Sequence, residues 1–194
     1  MPRAKIIIIG QSTVGKSCIA LRAKNDEFNE NIAPTIGAAS LNLTMKNNAG
    51  QDIEFNIWDT AGQEKYRSLV PMYFSEAACA FLVYDITNEV SFNVLNEFDS
   101  LLAQKAPPNI IKLVIGNKID LAENREVDKN KAANYTKDIG AIKYFEVSAK
   151  TGEGIKDIFE YLANLPELPI EKTEEDDFVE LNNMSTQPKQ KKCC

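Results

Sequence analysis

The strongest constraint on this chain sits near its start, where Lys5-Ile6-Ile7-Ile8-Ile9, an apolar run of strand length, leads directly into Gly10-Gln11-Ser12-Thr13-Val14-Gly15-Lys16-Ser17. A G-x-x-x-x-G-K-S loop between a buried strand and a helix curls successive backbone N–H groups around phosphate oxygens, and the helix adds its positive end. Lys16 supplies a point charge and the Ser17 hydroxyl is a ligand for Mg²⁺. The loop from Ser12 to Ser17, with Cys18 in the first helical turn, therefore reads as a polyphosphate grip. It names neither a base nor a reaction.

Downstream, apolar runs alternate with helical patterns, which predicts an α/β fold: a six-stranded, mostly parallel sheet with one antiparallel edge strand and helices on both faces. After the strand Lys5–Ile9, a helix is expected from Lys16 to about Asn25, then an irregular stretch through Pro34-Thr35-Ile36-Gly37. Residues 40–46 alternate apolar and polar, turn at Asn47-Asn48-Ala49-Gly50, and pair back with 52–58 as a hairpin. Residues 79–86 and 110–116 are continuous apolar runs, as in strands buried on both faces. Between them 90–102 reads as one amphipathic helix, 128–139 as another capped by Asp128, 141–147 as the last strand, and 154–165 as the closing helix.

Composition narrows the chemistry. The chain has no histidine, which excludes Ser-His-Asp triads and His-ligated zinc, and its net charge of −6 argues against a nucleic-acid binder. Of the four cysteines, Cys18 and Cys79 read as small buried residues without disulfide or metal spacing, and the usage fits a reducing cytosol. The N-terminus lacks a secretory h-region and no apolar run approaches membrane-spanning length.

A carboxylate closing a strand beside a phosphate loop is the Walker B arrangement. Asp59, in Trp58-Asp59-Thr60-Ala61-Gly62-Gln63, takes that place for Mg²⁺. Gly62 leaves a backbone N–H for a γ-phosphate, and Gln63 has the chemistry to orient an attacking water. Asn117-Lys118-Ile119-Asp120 follows the 110–116 strand. The two oxygens of Asp120 match guanine N1–H and its exocyclic amine, Lys118 can lie along the base, and Asn117 ties the loop to its neighbours. Ser148-Ala149-Lys150 completes the pocket, the Ala149 N–H meeting guanine O6 and Lys150 covering the other face.

With these segments in order, residues 5–165 resemble the Ras superfamily of small GTPases and, within it, the Rab family. The resemblance implies a GTP-binding G-domain over residues 1–165, with GTP or GDP and Mg²⁺ as cofactors. Thr35 joins Ser17 and Asp59 around Mg²⁺ in the GTP state only, and Phe28 packs on the base. Catalysis would fall to Gln63 and Lys16, slowly alone and faster with a GTPase-activating protein. Residues 65–69, 71–73 and 82–87 look like Rab segments, and Ala33-Pro34-Thr35-Ile36-Gly37-Ala38-Ala39 looks most like the early-endosomal subgroup. Two stretches depart from it. Ser40 stands where the subgroup has an aromatic that joins Trp58 and Tyr73 in reading effectors, and Phe74-Ser75-Glu76-Ala77 replaces an aromatic-Arg-Gly-Ala run.

From Pro166 the composition turns acidic and then polar, so 166–194 reads as a flexible tail spanning about 30 Å as a random coil. It ends in Cys193-Cys194 after Lys189, Lys191 and Lys192; in Rab-like proteins such a pair carries two geranylgeranyl groups, and two lipids anchor where one is marginal. The resemblance thus implies a switch in vesicle traffic on the cytoplasmic face of endosomal membranes, cycling with the cytosol. Its implied partners are an exchange factor, a GTPase-activating protein, a GDP-dissociation inhibitor or prenylation escort, and membrane-tethering effectors, with no nucleic acid. Two rivals are a metabolic phosphotransferase, disfavoured by the guanine motif and the lack of an Arg-rich lid, and a scaffold that holds GTP without turnover, disfavoured by Gln63 and Thr35.

Overall fold

The computed structural model describes residues 1–62 and 70–170. Strands β1 (Arg3–Ile9), β2 (Ala38–Lys46), β3 (Asp52–Thr60), β4 (Ala77–Asp85), β5 (Ile111–Asn117) and β6 (Lys143–Val147) form one six-stranded sheet in the order β2-β3-β1-β4-β5-β6. All neighbouring pairs are parallel except β2 with β3, so the antiparallel strand lies at an edge as expected.

The isoleucine run follows from this placement. Ile6 and Ile8 point into a core shared with helices α1 (Lys16–Asn25) and α5 (Ile155–Ala163). Ile7 and Ile9 point the other way, into a core with α2 (Glu89–Asn93), α3 (Leu95–Lys105) and α4 (Lys129–Asp138). Because strand side chains alternate, a central strand covered on both faces must be apolar at every position. Each such isoleucine contributes about 2 kcal/mol of burial. β4 and β5 repeat the pattern, with Phe81, Val83 and Ile115 on one face and Leu82, Tyr84 and Val114 on the other. β2 is covered on one face only, so Leu41, Leu43 and Met45 pack inward while Ser40, Asn42 and Thr44 alternate out to solvent.

Four readings need correction. The expected helix over 90–102 is two segments, α2 and α3, with Val94 between them, and Val90 is exposed while Phe92, Leu95, Phe98 and Leu102 carry the buried face. The strand expected from residue 79 begins at Ala77, and the one expected from 141 begins at Lys143. Cys18 is half-buried rather than core, whereas Cys79 is fully buried. The cap on α4 holds: Asp128 accepts from the N–H groups of Asn130 (2.8 Å) and Lys131 (3.3 Å). At 74–77, Phe74 keeps the aromatic, fully buried. Glu76, by contrast, takes φ 60°, a left-handed conformation that costs a non-glycine residue about 1 kcal/mol.

A polar network stiffens the sheet under its C-terminal rim. Tyr84 and Tyr144 share a hydroxyl hydrogen bond (2.8 Å), Tyr144 donates to Glu146 (2.7 Å), and Arg125 grips both Glu146 oxygens (2.6 and 3.1 Å). Burial pushes the Glu146 carboxyl up, but these partners together with Lys129 outweigh it and hold the group below its usual range. Glu146 sits two residues before Ser148, so the network fixes the end of β6 from which the next loop departs.

Candidate functional site

The C-terminal ends of β1, β3, β4, β5 and β6 meet at one rim, and β1 lies where the chain changes direction across the sheet, the usual ligand position in open α/β folds. Two adjoining clefts of about 260 and 280 Å³ open there. Thr13, Gly15, Cys18 and Glu30 line both, so the clefts form one groove.

The first cleft gathers the residues that the sequence assigned to phosphate. Ser12, Lys16, Ser17, Thr35 and Gly62 line it with Thr60. Gly15 caps α1 with φ 96°, and a Cβ there would collide with Asn117 Nδ2, so the loop accepts only glycine at this position. Val14 contributes main chain alone: its side chain is buried, while its carbonyl accepts from Asn117 Nδ2 (2.8 Å). Lys16 is buried and donates to the carbonyls of Gly10 (3.0 Å) and Gln11 (2.8 Å). Burial lowers its ammonium to about 8, opposed by the charge of Asp59.

Ser17, Thr35 and Asp59 converge. Ser17 Oγ donates to Asp59 Oδ2 (2.5 Å), Thr35 Oγ1 donates to the same oxygen (3.0 Å), and the two hydroxyls lie 3.0 Å apart. Asp59 Oδ1 is buried without a hydrogen-bond partner, and burial raises its carboxyl against those hydrogen bonds and Lys16. A buried orphan carboxylate oxygen beside two hydroxyls is a hard oxygen donor set, and it fits Mg²⁺, which keeps several waters.

The second cleft gathers the residues that the sequence assigned to the base: Phe28, Asn117, Lys118, Asp120, Ala149 and Lys150, together with Leu121, line it. Asp120 is exposed to the groove, and its Oδ1 accepts from Ser148 Oγ (2.5 Å). Ser148 itself is fully buried and does not line the cleft, so it acts through Asp120. The Ala149 N–H donates to Asn117 Oδ1 (3.0 Å) in this arrangement. Lys118 is held by Asp85 at the end of β4 (2.6 Å). Gln63, Cys193 and Cys194 lie outside the described residues, as do the Rab-like segment 65–69 and the tail from 171.

Sequence reasoning missed Glu30, which lines both clefts and pairs with Lys150 (3.1 Å), and Thr60, whose hydroxyl is tied to the Ile8 carbonyl (2.7 Å). A polar residue in the irregular stretch after Phe28 was the only signal for the first. Beside the groove, the Trp58 and Tyr73 rings lie 5.7 Å apart, Ser40 pairs across from Trp58, and the apolar side chains of Ile36 and Met72 are exposed.

The Lys16 pKa gives a testable pH dependence. Phosphates favour the charged ammonium, but above pH 8 the nucleotide-free chain carries it increasingly neutral and must take up a proton on binding. Affinity for GDP is expected to fall about fourfold between pH 7 and 8.5, with proton uptake rising toward one per nucleotide. Calorimetry in two buffers of different ionisation enthalpy reads both quantities. A flat affinity across that window would mean Lys16 is already charged without nucleotide.

Comparison with known proteins converges with this geometry. A family model described as the Ras family matches residues 5–166. The Ras-related protein Rab-31 of Mus musculus is 39% identical over 192 residues, covering 98% of this chain and 96% of that protein. The GTP-binding protein ypt5 of Schizosaccharomyces pombe is 41% identical over 168 residues (86% and 78% covered), and the Ras-related protein Rab-22A of Homo sapiens 43% over 155 (80% and 79%).

Proposed function

Since the chain belongs to the Ras family and to its Rab branch, it is a guanine-nucleotide switch of vesicle traffic that hydrolyses GTP, and we propose the following division of labour among its residues. Asp120, steadied by Ser148, selects guanine; Phe28, Lys118 and Lys150 enclose the base; the Ala149 N–H meets its O6, and Asn117 ties this loop to the phosphate loop through Val14. Lys16 and the N–H groups of residues 12–18 neutralise the phosphates. Ser17, Thr35 and Asp59 would hold Mg²⁺, which would supply positive charge to the phosphates. Gln63 orients the attacking water.

The observation that carries this reading is the meeting of Thr35 with Ser17 and Asp59 within 3.0 Å. Residues 18 and 24 positions away along the chain close on one point beside Lys16, where a metal and a γ-phosphate would meet their oxygen donors together. Loss of the γ-phosphate frees Thr35 and Gly62, and with them the exposed surface around Ile36, Trp58 and Tyr73 that effectors read. No arginine lines the groove among the described residues, so the charge of the transition state needs an arginine from an activating partner, with a gain on the order of 10³–10⁵.

Preloaded GTP followed through a single turnover tests the catalytic part. Gln63→Leu is expected to slow hydrolysis by about tenfold or more while binding is kept. Parent-like hydrolysis in that variant would remove Gln63 from its role, and no turnover in the parent even with an activating partner would favour the scaffold reading.

The anchor belongs to the same proposal. No helix among the described residues is long and apolar enough to cross a membrane, and geranylgeranyl groups on Cys193 and Cys194 would hold the chain on the cytoplasmic face of endosomal membranes. Its partners there are an exchange factor, a GTPase-activating protein, a GDP-dissociation inhibitor and tethering effectors. A tagged chain is expected on membranes in cells, and the same chain lacking Cys193-Cys194 in the cytosol. An intact chain found wholly soluble would sink the anchor.

A further inference from the structure

One side chain outside the groove is better connected than most of those lining it. Arg22, two turns into α1, reaches across 127 residues of sequence: its Nε donates to the Ala149 carbonyl (2.9 Å) and its Nη2 to the Lys150 carbonyl (2.6 Å). Its Nη1 turns back to the Asp26 carbonyl (2.7 Å) and to Asp26 Oδ1 (3.2 Å). The side chain is 13% exposed, against 92% for that of Asp26.

Each contact has a cause. Asp26 ends α1 in a left-handed conformation (φ 55°, ψ 31°) and returns its N–H to the Arg22 carbonyl, which folds the end of the helix over the guanidinium. The loop after β6 is tight: Gly152 donates to the Ser148 carbonyl (2.8 Å) and Thr151 to the Ser148 hydroxyl (3.0 Å). That turn presents two successive carbonyls, Ala149 and Lys150, to one side. A planar guanidinium fork can hold two carbonyls at once, and a compact ammonium cannot.

The same α1 begins at Lys16 and Ser17, and the same loop carries Ala149 and Lys150 at the base end. One rigid helix is therefore tied to the phosphates at its start and, through Arg22, to the base-enclosing loop near its end. We propose that Arg22 is a positioning residue for guanine: it pins the 149–150 loop to α1, so that base and phosphate contacts form and break together and nucleotide is released slowly. This rests on the reading of the groove as a guanine-nucleotide site. Arg22 touches no reacting atom, so the chemistry of a bound GTP does not depend on it.

The prediction separates release from chemistry. Full-length parent, Arg22→Gln and Arg22→Lys are loaded with fluorescent GDP, and its dissociation is followed after adding excess GDP. Preloaded GTP is followed in parallel through one turnover. Arg22→Gln loses charged hydrogen bonds to two carbonyls, that of buried Ala149 and that of exposed Lys150, and is expected to release GDP at least tenfold faster. Arg22→Lys, able to serve one carbonyl, should fall between it and the parent. Hydrolysis of bound GTP should stay within twofold of the parent in both variants, which a general loosening of the fold would not allow. Parent-like release from Arg22→Gln, or hydrolysis falling in step with faster release, would overturn the proposal. Should Arg22→Gln not fold, Arg22→Lys decides alone, parent-like release again refuting it. A parent that does not retain GDP at all would instead refute the guanine-nucleotide reading.

Discussion

Replacing Asp120 by asparagine is expected to exchange the base the site prefers, lowering GDP affinity by a factor on the order of 10³ and making xanthosine diphosphate the better ligand. Guanine offers two donors on one edge, N1–H and the 2-amino group, and in the proposed division of labour the Asp120 carboxylate accepts both. Its Oδ1 is already steadied by Ser148 Oγ at 2.5 Å, which sets the plane of the group. In Asp120→Asn the Ser148 hydroxyl can still donate to the amide oxygen, and the amide NH₂ then faces the groove. That donor meets the guanine amine as donor against donor, but it matches the carbonyl that xanthine carries at the same carbon. Fully enclosed recognition sites reject such mismatches by 10⁴–10⁵; the estimate is lower because Asp120 is exposed, and water can relieve part of the mismatch. Competition between the two diphosphates for parent and variant gives the ratio directly. A variant that still prefers GDP as strongly as the parent would take base selection away from Asp120.

What could be read from the sequence here was what is local. β1, β4 and β5 were legible because a strand covered on both faces has to be apolar throughout, and the phosphate loop because its glycines and Lys16 lie within one short window. The Asp128 cap was legible for the same reason, since the N–H groups that donate to it are two and three residues away. The break at Val94 was not, because the apolar spacing runs unaltered from Phe92 through Leu95 to Phe98 while the backbone divides.

At the site, residue identities were legible and their division of labour was not. Ser148 reads as a pocket residue because it stands beside Ala149, yet its burial makes it a support for Asp120. Lys118 is fixed by Asp85, a strand-end carboxylate with no spacing relation to it. Arg22 carries no signal at all in a linear reading: its acceptors are main-chain carbonyls far along the chain, and a carbonyl is present at every residue. Contacts of that kind appear only when the chain is folded.

Gly62→Ala is expected to leave GDP binding within about twofold and to slow GTP hydrolysis by a factor on the order of 10²–10³, the cost of losing one aligned donor to developing charge. A Cβ at position 62 would stand 2.6 Å from the Ser12 nitrogen and 2.7 Å from the Gln11 carbonyl carbon, and closer still to Lys16 Nζ. The lysine end could shift, but the first two atoms belong to the phosphate loop, whose Val14 carbonyl is tied to Asn117 and whose Gly15 carbonyl is bonded into α1. The phosphate loop stays, so residue 62 must retreat, and its N–H moves off the γ-phosphate. The retreat also carries further, since the neighbouring Ala61 donates to the Gly37 carbonyl at 2.8 Å, two residues from Thr35. Displacing one segment thus pulls on the other, and both γ-phosphate contacts weaken together while the β-phosphate and base contacts used by GDP are untouched. Preloaded GTP followed through one turnover, beside GDP release from the same preparation, separates the two effects. Hydrolysis within threefold of the parent would show that residue 62 can carry a side chain without leaving the γ-phosphate, and the linkage through Ala61 and Gly37 would then have no role in the switch.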